Sequence, residues 1–367
     1  MVYLCNMQGL HTNRIAALFP PPEFLAMPAA GIDISDTSIK YLDATYSPAG
    51  LVPRVFDVIR LPSGVVVEGV VQDRSKLSDA LRELKEHHGR TFANVSLPEE
   101  HAYLYTIEVP TAHKQKDILQ VVEFSLSEHA PIPSDNAVFN YDVIRQQGNV
   151  TEISVTVFPK DIVETYKQAL EDSGFQVKSF ELEDQSIARS IIPIGSKSVS
   201  MVIDFGRTRT GITIALGQIP IFSTTVKIGG NVLTEAIISQ FDVTEEEADE
   251  IKRTQGIEDC QDETLKKILT DTTNALIDEI RRHYRYWDTR RDEEGNRIAG
   301  IERIFLCGGA VGLKGLPEQV SSVLQVPVHL GNVWGNMFDL NTHIPKISRT
   351  ISWQAAASAG LLLRDVM

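Results

Sequence analysis

The sequence predicts an α/β fold in two lobes, and three observations carry that prediction. Two hairpins of the same layout, GIDISDTSIKYLD at 31–43 and MVIDFGRTRTGITIAL at 201–216, stand about half a chain apart. Each is an apolar run, a polar turn led by an aspartate, and an apolar return. Strand-like runs alternate with amphipathic helical stretches, the pattern of sheets layered with helices. FLCGGAVGLKGL, 305–316, reads as a buried strand running into a glycine turn. A length of 367 residues exceeds one ordinary domain and suits two domains or one large bilobal one.

Each element follows in order. FPPPEFLAMPAA holds three consecutive prolines, which forbid a continuing helix, so residues 1–27 read as an extension before the fold. AGIDIS and IKYLDATY flank the first turn. RVFDVIRLP and VVVEGVVQD read as further strands. RSKLSDALRELKEHH places Leu77, Leu81 and Leu84 at helical spacing, and Gly89 stops it. TFANVSLP and YLYTIEVP are two more strands. Residues 111–182 read as a separate small module, helix–strand–strand–helix–strand. Its first helix ends at Pro131 to Pro133, and its second opens with Pro159 and closes at Gly174. QSIARSIIP is a short helix leading to the second hairpin. TEEEADEIKRTQG and the long stretch from Glu263 to Asp292 are polar helices. WQAAASAGLLLRDV is a small-residue helix at the end.

The bulk numbers bound the function. Hydrophobic residues make up 43%, enough for a real core, yet no run of about 18 apolar residues predicts a transmembrane helix. The N-terminus lacks a basic stretch followed by an apolar one, so AMPAA reads poorly as a signal-peptidase site. With 35 basic against 49 acidic residues the net charge is −14, which argues against nucleic-acid binding. Cys5, Cys260 and Cys307 form no zinc spacing and no disulfide framework, and read as reduced cytosolic thiols.

The hairpins suggest a chemistry. Backbone N–H groups in tight turns, aided by hydroxyls, suit an anionic triphosphate. A carboxylate at a strand end holds Mg²⁺ through water. One hairpin per lobe would grip phosphates from both sides, with Asp33 and Asp204 as the metal-facing carboxylates. Taken singly, either hairpin is commonplace, and its aspartate reads as a turn cap. The glycine turn at Gly308, Gly309 and Gly312 suits close approach to a nucleoside or an ordinary strand-to-helix turn. IGGNVLTEAI, 228–237, sets a Gly-Gly pair before a helix. Lys252 lies on an acidic helix that reads by itself as a solvated face.

In these segments and their order the chain resembles the superfamily of actin, sugar kinases and heat-shock chaperone ATPases. The order is first phosphate hairpin at 31–43, connecting helix at 184–192, second phosphate hairpin at 201–216, adenosine turn at 305–316, and second connecting helix at 353–364. Within it the chain is similar to the PilM family of type IV pilus assembly. GIDISDTSIK, the stretch from EFSLSEHAPIP to FELE, KIGGNVLTEAI, EEADEIKR, IERIFLCGGAVGLKGL and AAASAGLLLRD carry that likeness.

The resemblance implies a bilobal actin-like ATPase fold, ribonuclease H-like, with an αββαβ insert of the 1C type. Subdomain 1A would take 28–106 with 183–198 and 349–367, and 1C would take 107–182. Subdomain 2A would take 199–232 and 290–348, and 2B would take 233–289. ATP and Mg²⁺ would lie between the lobes. Asp33, Ser35, Thr37, Ser38 and Lys40 fall on the first phosphate hairpin, and Asp204, Gly206, Arg207 and Thr208 on the second. Gly229, Gly230 and Asn231 fall beside phosphate and ribose, Lys252 beside the base, and Gly308, Gly309 and Ala310 on the adenosine turn. Spacing assigns no catalytic base.

The family further implies a cytoplasmic adaptor, peripheral to the inner membrane, that binds the N-terminal tail of a PilN-like membrane protein between 1A and 1C. Phe124, Ile132 and Pro133 are the candidate groove residues, with core packing the competing reading. Contact with pilus motor ATPases and self-association stay open. Two departures stand out: Ser35 replaces the usual glycine, and Arg207 and Arg209 replace small polar residues. They add charge to the phosphate site or point away from it. An FtsA-like division protein is the first alternative, disfavoured because no amphipathic tail follows LLLRDVM. A small-molecule kinase of the same superfamily is the second, disfavoured because no carboxylate base is marked.

Overall fold

The computed structural model describes residues 27–257, 260–291, 295 and 297–364. The expected N-terminal extension, 1–27, lies outside the described residues except for Met27.

The first lobe begins with a meander. Strands β1 (Ala29–Ile34), β2 (Ser38–Ser47) and β3 (Gly50–Arg60) run antiparallel in sequence. VVVEGVVQD forms only a small hairpin, β4 (Val66–Val67) and β5 (Val70–Val71). Helix α1 (Arg74–His88) follows, with the Asp73 carboxylate accepting from Lys76 N–H at its start. Its buried residues Leu77, Leu81 and Leu84 are the three leucines of the helical spacing. The helix returns the chain so that β6 (Phe92–Leu97) pairs parallel with β1.

Next come β7 (Tyr103–Pro110), α2 (Gln115–His129), β8 (Ala137–Gln147), β9 (Val150–Pro159), α3 (Lys160–Asp172), β10 (Gln176–Leu182) and α4 (Glu183–Ile191). The helix–strand–strand–helix–strand order of 111–182 is present, but its members serve two sheets. Strands β7, β9 and β8 make a small antiparallel sheet under α2. Strand β10 pairs parallel with β6 in the first lobe. Helix α3 buries Val163, Tyr166, Ala169 and Leu170 in the first-lobe core. Strand order along the chain states which elements exist; which sheet a strand joins depends on the apolar face it must cover.

The second lobe repeats the first. Strands β11 (Val199–Phe205), β12 (Thr210–Leu216) and β13 (Ile219–Val226) form an antiparallel meander, and β14 (Arg303–Cys307) and β15 (Val328–Leu330) add in parallel beside β11. Its order, β13-β12-β11-β14-β15, matches β3-β2-β1-β6-β10 strand for strand. The two acid-led hairpins are therefore the corresponding corners of two like-built sheets. Helices α5 (Gly230–Phe241), α6 (Glu245–Thr254), α7 (Glu263–Asp288) and α8 (Leu316–Leu324) complete the lobe. Thr244 and Glu247 close a capping box at the start of α6.

A short helix α9 (Arg349–Ser352) leads to α10 (Ala356–Leu363), every residue of which is buried. It lies against β1 and α4. A side chain on Gly360 would fall onto the Ser186 carbonyl, which is why this helix is built of small residues. Around it a shared core joins Leu42 of β2, Ile187 of α4, Val202 of β11 and Phe305 of β14, so the lobes are packed together at the base. None of the described helices is long and apolar enough to cross a membrane.

Candidate functional site

At the first corner Asp33 is the penultimate residue of β1 and is 1% exposed. The antiparallel register sets Lys40 directly opposite. Lys40 Nζ lies 2.6 Å from Asp33 Oδ2, and Ser96 Oγ donates to Asp33 Oδ1 at 2.7 Å. Burial works against the lysine's charge, but Asp33, Glu183 and Asp204 outweigh it and hold the ammonium protonated far beyond neutral pH. Ser35, the residue in place of glycine, bends into its own turn. Its N–H and Oγ both donate to Ser38 O, at 2.9 and 3.0 Å. The Thr37 carbonyl accepts from Leu61 N–H at 2.9 Å, so the turn is braced on both sides.

At the second corner Asp204 ends the central part of β11. Gly206 N–H donates to Arg209 O at 3.0 Å and closes the turn. The loop before α5 is bonded to this turn: Gly230 N–H reaches Gly206 O at 3.0 Å and Asn231 N–H reaches Arg207 O at 2.8 Å. The glycine turn after β14 is bonded to the same hairpin, with Ala310 N–H on Phe205 O at 2.9 Å. Gly308 holds φ +96°, and a side chain there would strike the Asp204 carboxylate and come within 2.5 Å of Phe205 O. Three segments far apart in sequence thus form one backbone-bonded cradle.

The arginines of the second turn are both engaged with carboxylates. Arg207 pairs with Glu245 at 2.5 Å. Arg209 pairs with Asp36 of the first hairpin at 3.2 Å and contacts Glu100. Lys252 is turned onto α5, with Thr234 Oγ1 at 2.5 Å and Asp249 at 2.7 Å. The Asn231 amide donates to Glu235 at 3.2 Å.

The floor of the cleft holds acids that the spacing of the sequence does not single out. Glu183 and Asp184 sit in the first turn of α4, and Glu99 and Glu100 in the one-turn helix after β6. Glu99 Oε1, Asp204 Cβ and Asp184 Oδ1 lie 3.3, 3.8 and 3.9 Å from where a Cβ on Gly211 would stand. Burial, then the charges of Asp33, Glu99 and Asp204, raise the Glu183 carboxyl well above the usual range. Burial and Glu99 raise Asp184 to about 7, although Ser223 and Thr213 donate to it. Burial raises Asp204 to about 6; Lys40 opposes the rise, and Glu99 and Asp33 add to it. Such mutual repulsion, with one lysine as counter-charge, fits a cation. Among the described residues no three His, Cys, Asp or Glu side chains converge closely enough to ligate a metal directly. Buried carboxylates gathered around one lysine have the chemistry to hold a hydrated cation, with water between metal and carboxylate.

Beside the glycine turn lies a cavity of about 440 Å³ bordered by Gly256, Gly312, Leu313, Lys314, Leu330 and Trp353.

The groove candidates separate. Phe124 is 83% exposed, on the side of α2 away from Ile118, Val122 and Leu126. Ile132 packs against the core of the small sheet, and Pro133 is exposed. Core packing thus accounts for Ile132 and not for Phe124.

A family model described as type IV pilus assembly protein PilM matches residues 31–366. Among solved structures, the chain resembles one in a PilM-PilN type IV pilus biogenesis complex, with a TM-score of 0.75 and 20% identity over 93% of this chain and 99% of that one. It is also similar to the ethanolamine utilization protein EutJ from Carboxydothermus hydrogenoformans, with a TM-score of 0.51 and 15% identity over 91% and 89% of the two chains. MreB 5 of Spiroplasma citri bound to AMPPNP matches with a TM-score of 0.50 and 12% identity over 84% and 93%. The shared actin-like fold is that of the two like-built lobes described above.

Proposed function

The chain belongs to the PilM family of type IV pilus assembly proteins, and from that membership we propose that it works as a nucleotide-binding, actin-like adaptor of pilus assembly. The observation that carries the nucleotide reading is the placement of Asp33 and Asp204 on corresponding corners of two like-built sheets, close enough that the charge of Asp33 acts on the Asp204 carboxyl. The ligand is ATP with Mg²⁺. Asp204, and Asp33 from the opposite lobe, hold the cation through water. Asp33 already spends its two oxygens on Lys40 and Ser96, so Asp204 is the stronger holder.

Lys40 supplies positive charge to the phosphates, the turn residues Thr37, Ser38 and Thr208 supply donors, and Gly206 shapes the second turn with its N–H on Arg209 O. Ser35 shapes the first turn. Arg207 contributes through its backbone, since its guanidinium rests on Glu245. Gly229, Gly230 and Asn231 border the ribose end. Gly308, Gly309 and Ala310, with Lys252 opposite, border the nucleoside. Bound Mg²⁺ would neutralise phosphate charge and relieve repulsion among the cleft acids.

The partner is the short cytoplasmic tail of a PilN-like protein of the inner membrane, which would keep the adaptor at that membrane's inner face. The PilM-PilN complex supports this reading. Phe124 and Pro133 are its contacts, because an exposed phenylalanine on an otherwise polar helix face gives an extended tail a place to bury an apolar side chain.

Calorimetric titration with ATP, with and without Mg²⁺, tests the cleft. Binding that needs Mg²⁺ and is lost in Asp204→Ala is the expected result. A wild type that takes up no nucleotide would reduce the function to that of a scaffold. Titration with a peptide of the partner tail, with wild type and Phe124→Ser, tests the groove separately.

A further inference from the structure

We infer that Arg209 is the centre of an interlobe clasp that sets how fast the cleft opens. Its consequence for ligand exchange rests on the nucleotide reading above; the clasp itself does not. The guanidinium extends from the second hairpin and lies across Asp36 of the first, with Nη1 3.2 Å from Oδ2 and Nη2 3.4 Å from Oδ1. It also contacts Glu100. Asp36 in turn accepts the Glu68 and Gly69 N–H groups at 3.2 and 3.0 Å, so the clasp is anchored in the β4–β5 turn.

Other links cross the same line. Arg60 of β3 reaches Glu245 of α6 at 3.4 Å, and Glu245 also takes Arg207 of its own lobe at 2.5 Å. Lys227 contacts Glu68, and Thr225 donates to Glu99 at 3.1 Å.

Exposure ranks these links. Lys227 and Glu68 are 83% and 64% exposed, and Arg60 is 69% exposed, so water and salt leave them little weight. Arg209, Asp36 and Glu100 are 15%, 16% and 14% exposed. Of these ion pairs this one is screened least, with the planar guanidinium facing both carboxylate oxygens of Asp36 and its charge beside Glu100. The base of the lobes is held by apolar packing around α10, which acts as the hinge side. The clasp is on the hairpin side, where opening is required for a ligand to pass. Its arginine is bound to protein carboxylates and so is not a phosphate-binding residue.

The test uses the full chain with Cys5→Ser, Val67→Cys and Glu246→Cys, spin-labelled on either side of the clasp, and measures the distance distribution without ligand. The expected result is a narrow distribution in this background and a longer, broader one in Arg209→Gln. The double variant Asp36→Asn with Glu100→Gln must give the same change, which guards against one variant that simply misfolds. Unchanged distributions in both folded variants overturn the clasp.

Stopped-flow binding of a fluorescent ATP analogue is the second arm. Loss of the clasp raises association and dissociation rates together by about tenfold, with Kd held within about twofold. A faster dissociation alone, with Kd weakened to match, would make Arg209 a phosphate contact and overturn the proposal. If the wild type binds no analogue, the nucleotide reading fails, and the distance measurement still decides the clasp.

Discussion

Lys40 Nζ lies 2.6 Å from Asp33 Oδ2, directly across the first hairpin, and both groups stand on the cleft floor. Removing the lysine leaves a carboxylate that is 1% exposed with, among the described residues, the Ser96 hydroxyl as its remaining side-chain partner. Lys40→Ala should therefore lower stability by about 3 kcal/mol in urea unfolding. Asp33→Asn with Lys40→Met removes both charges and should cost markedly less, about 1 kcal/mol. Equal losses would show that the pair contributes packing and not charge. Both variants should weaken Mg²⁺-dependent nucleotide binding, because each removes a group from the cleft.

The cleft acids predict a pH dependence with a definite sign. Asp184 and Asp204 titrate at about 7 and about 6 in the fold, mainly because they are buried, and lower once unfolded. The folded chain thus holds protons that the unfolded chain has released. Their stabilising contribution is complete below the ordinary carboxylate range and is lost as pH rises through 6 to 7. Asp184→Asn should raise the ligand-free melting temperature at pH 8 by about 3 °C and leave it nearly unchanged at pH 5. Mg²⁺ with ATP should protect the wild type more at pH 8 than at pH 5. An equal effect of the substitution at the two pH values would show that Asp184 is not repelled by its neighbours.

The outcome for these acids explains what the sequence could tell. Asp33 and Asp204 were legible because each stands where an apolar run meets a polar turn, and the layout recurs. Glu99, Glu100, Glu183 and Asp184 were not, because an acidic pair in a loop or in the first turn of a helix ordinarily faces water. One signal did exist for the second pair: FELEDQSIAR runs from strand into helix with no loop, and β10 ends at Leu182 where α4 begins at Glu183. Such a junction carries its first helical side chains to the end of the sheet. The engagement of Arg209 had no local signal, since its partner Asp36 is 173 residues away. The same limit concealed that FQVKSFEL joins the first lobe. Its apolar residues specify a strand face, while its neighbour, β6, is fixed by the packing of α3 on α1.

The glycine turn supplies a steric prediction. Gly308 adopts φ +96°, and its missing side chain leaves the space that the Asp204 carboxylate fills. Gly308→Ala must displace Asp204 or the Phe205 carbonyl, and the strained backbone adds to the cost. The expected loss is about 2–4 kcal/mol in equilibrium unfolding. Gly309→Ala is the control, because its nearest neighbours are side-chain atoms of Gln354 at 3.5 Å and beyond. That variant should stay within about 0.5 kcal/mol of wild type. Comparable losses from the two would contradict the assignment of Gly308 as the residue that gives Asp204 its place.

Phe124 gives the cleanest separation of stability from function. A phenylalanine that is 83% exposed contributes little to folding, so Phe124→Ser should move the unfolding midpoint by no more than about 0.5 kcal/mol. Val122, two residues earlier on the opposite, buried face of the helix, is the contrast: Val122→Ala should cost about 2 kcal/mol through the cavity it opens. If α2 presents Phe124 to the partner tail, Phe124→Ser should weaken peptide binding about tenfold or more, as loss of a central aromatic anchor does. Val122→Ala, measured well below its melting temperature, should leave peptide affinity close to wild type. Unchanged affinity in Phe124→Ser would move the partner site off this helix face. Ile132 would then not replace it, since that side chain is already spent on the core of the small sheet.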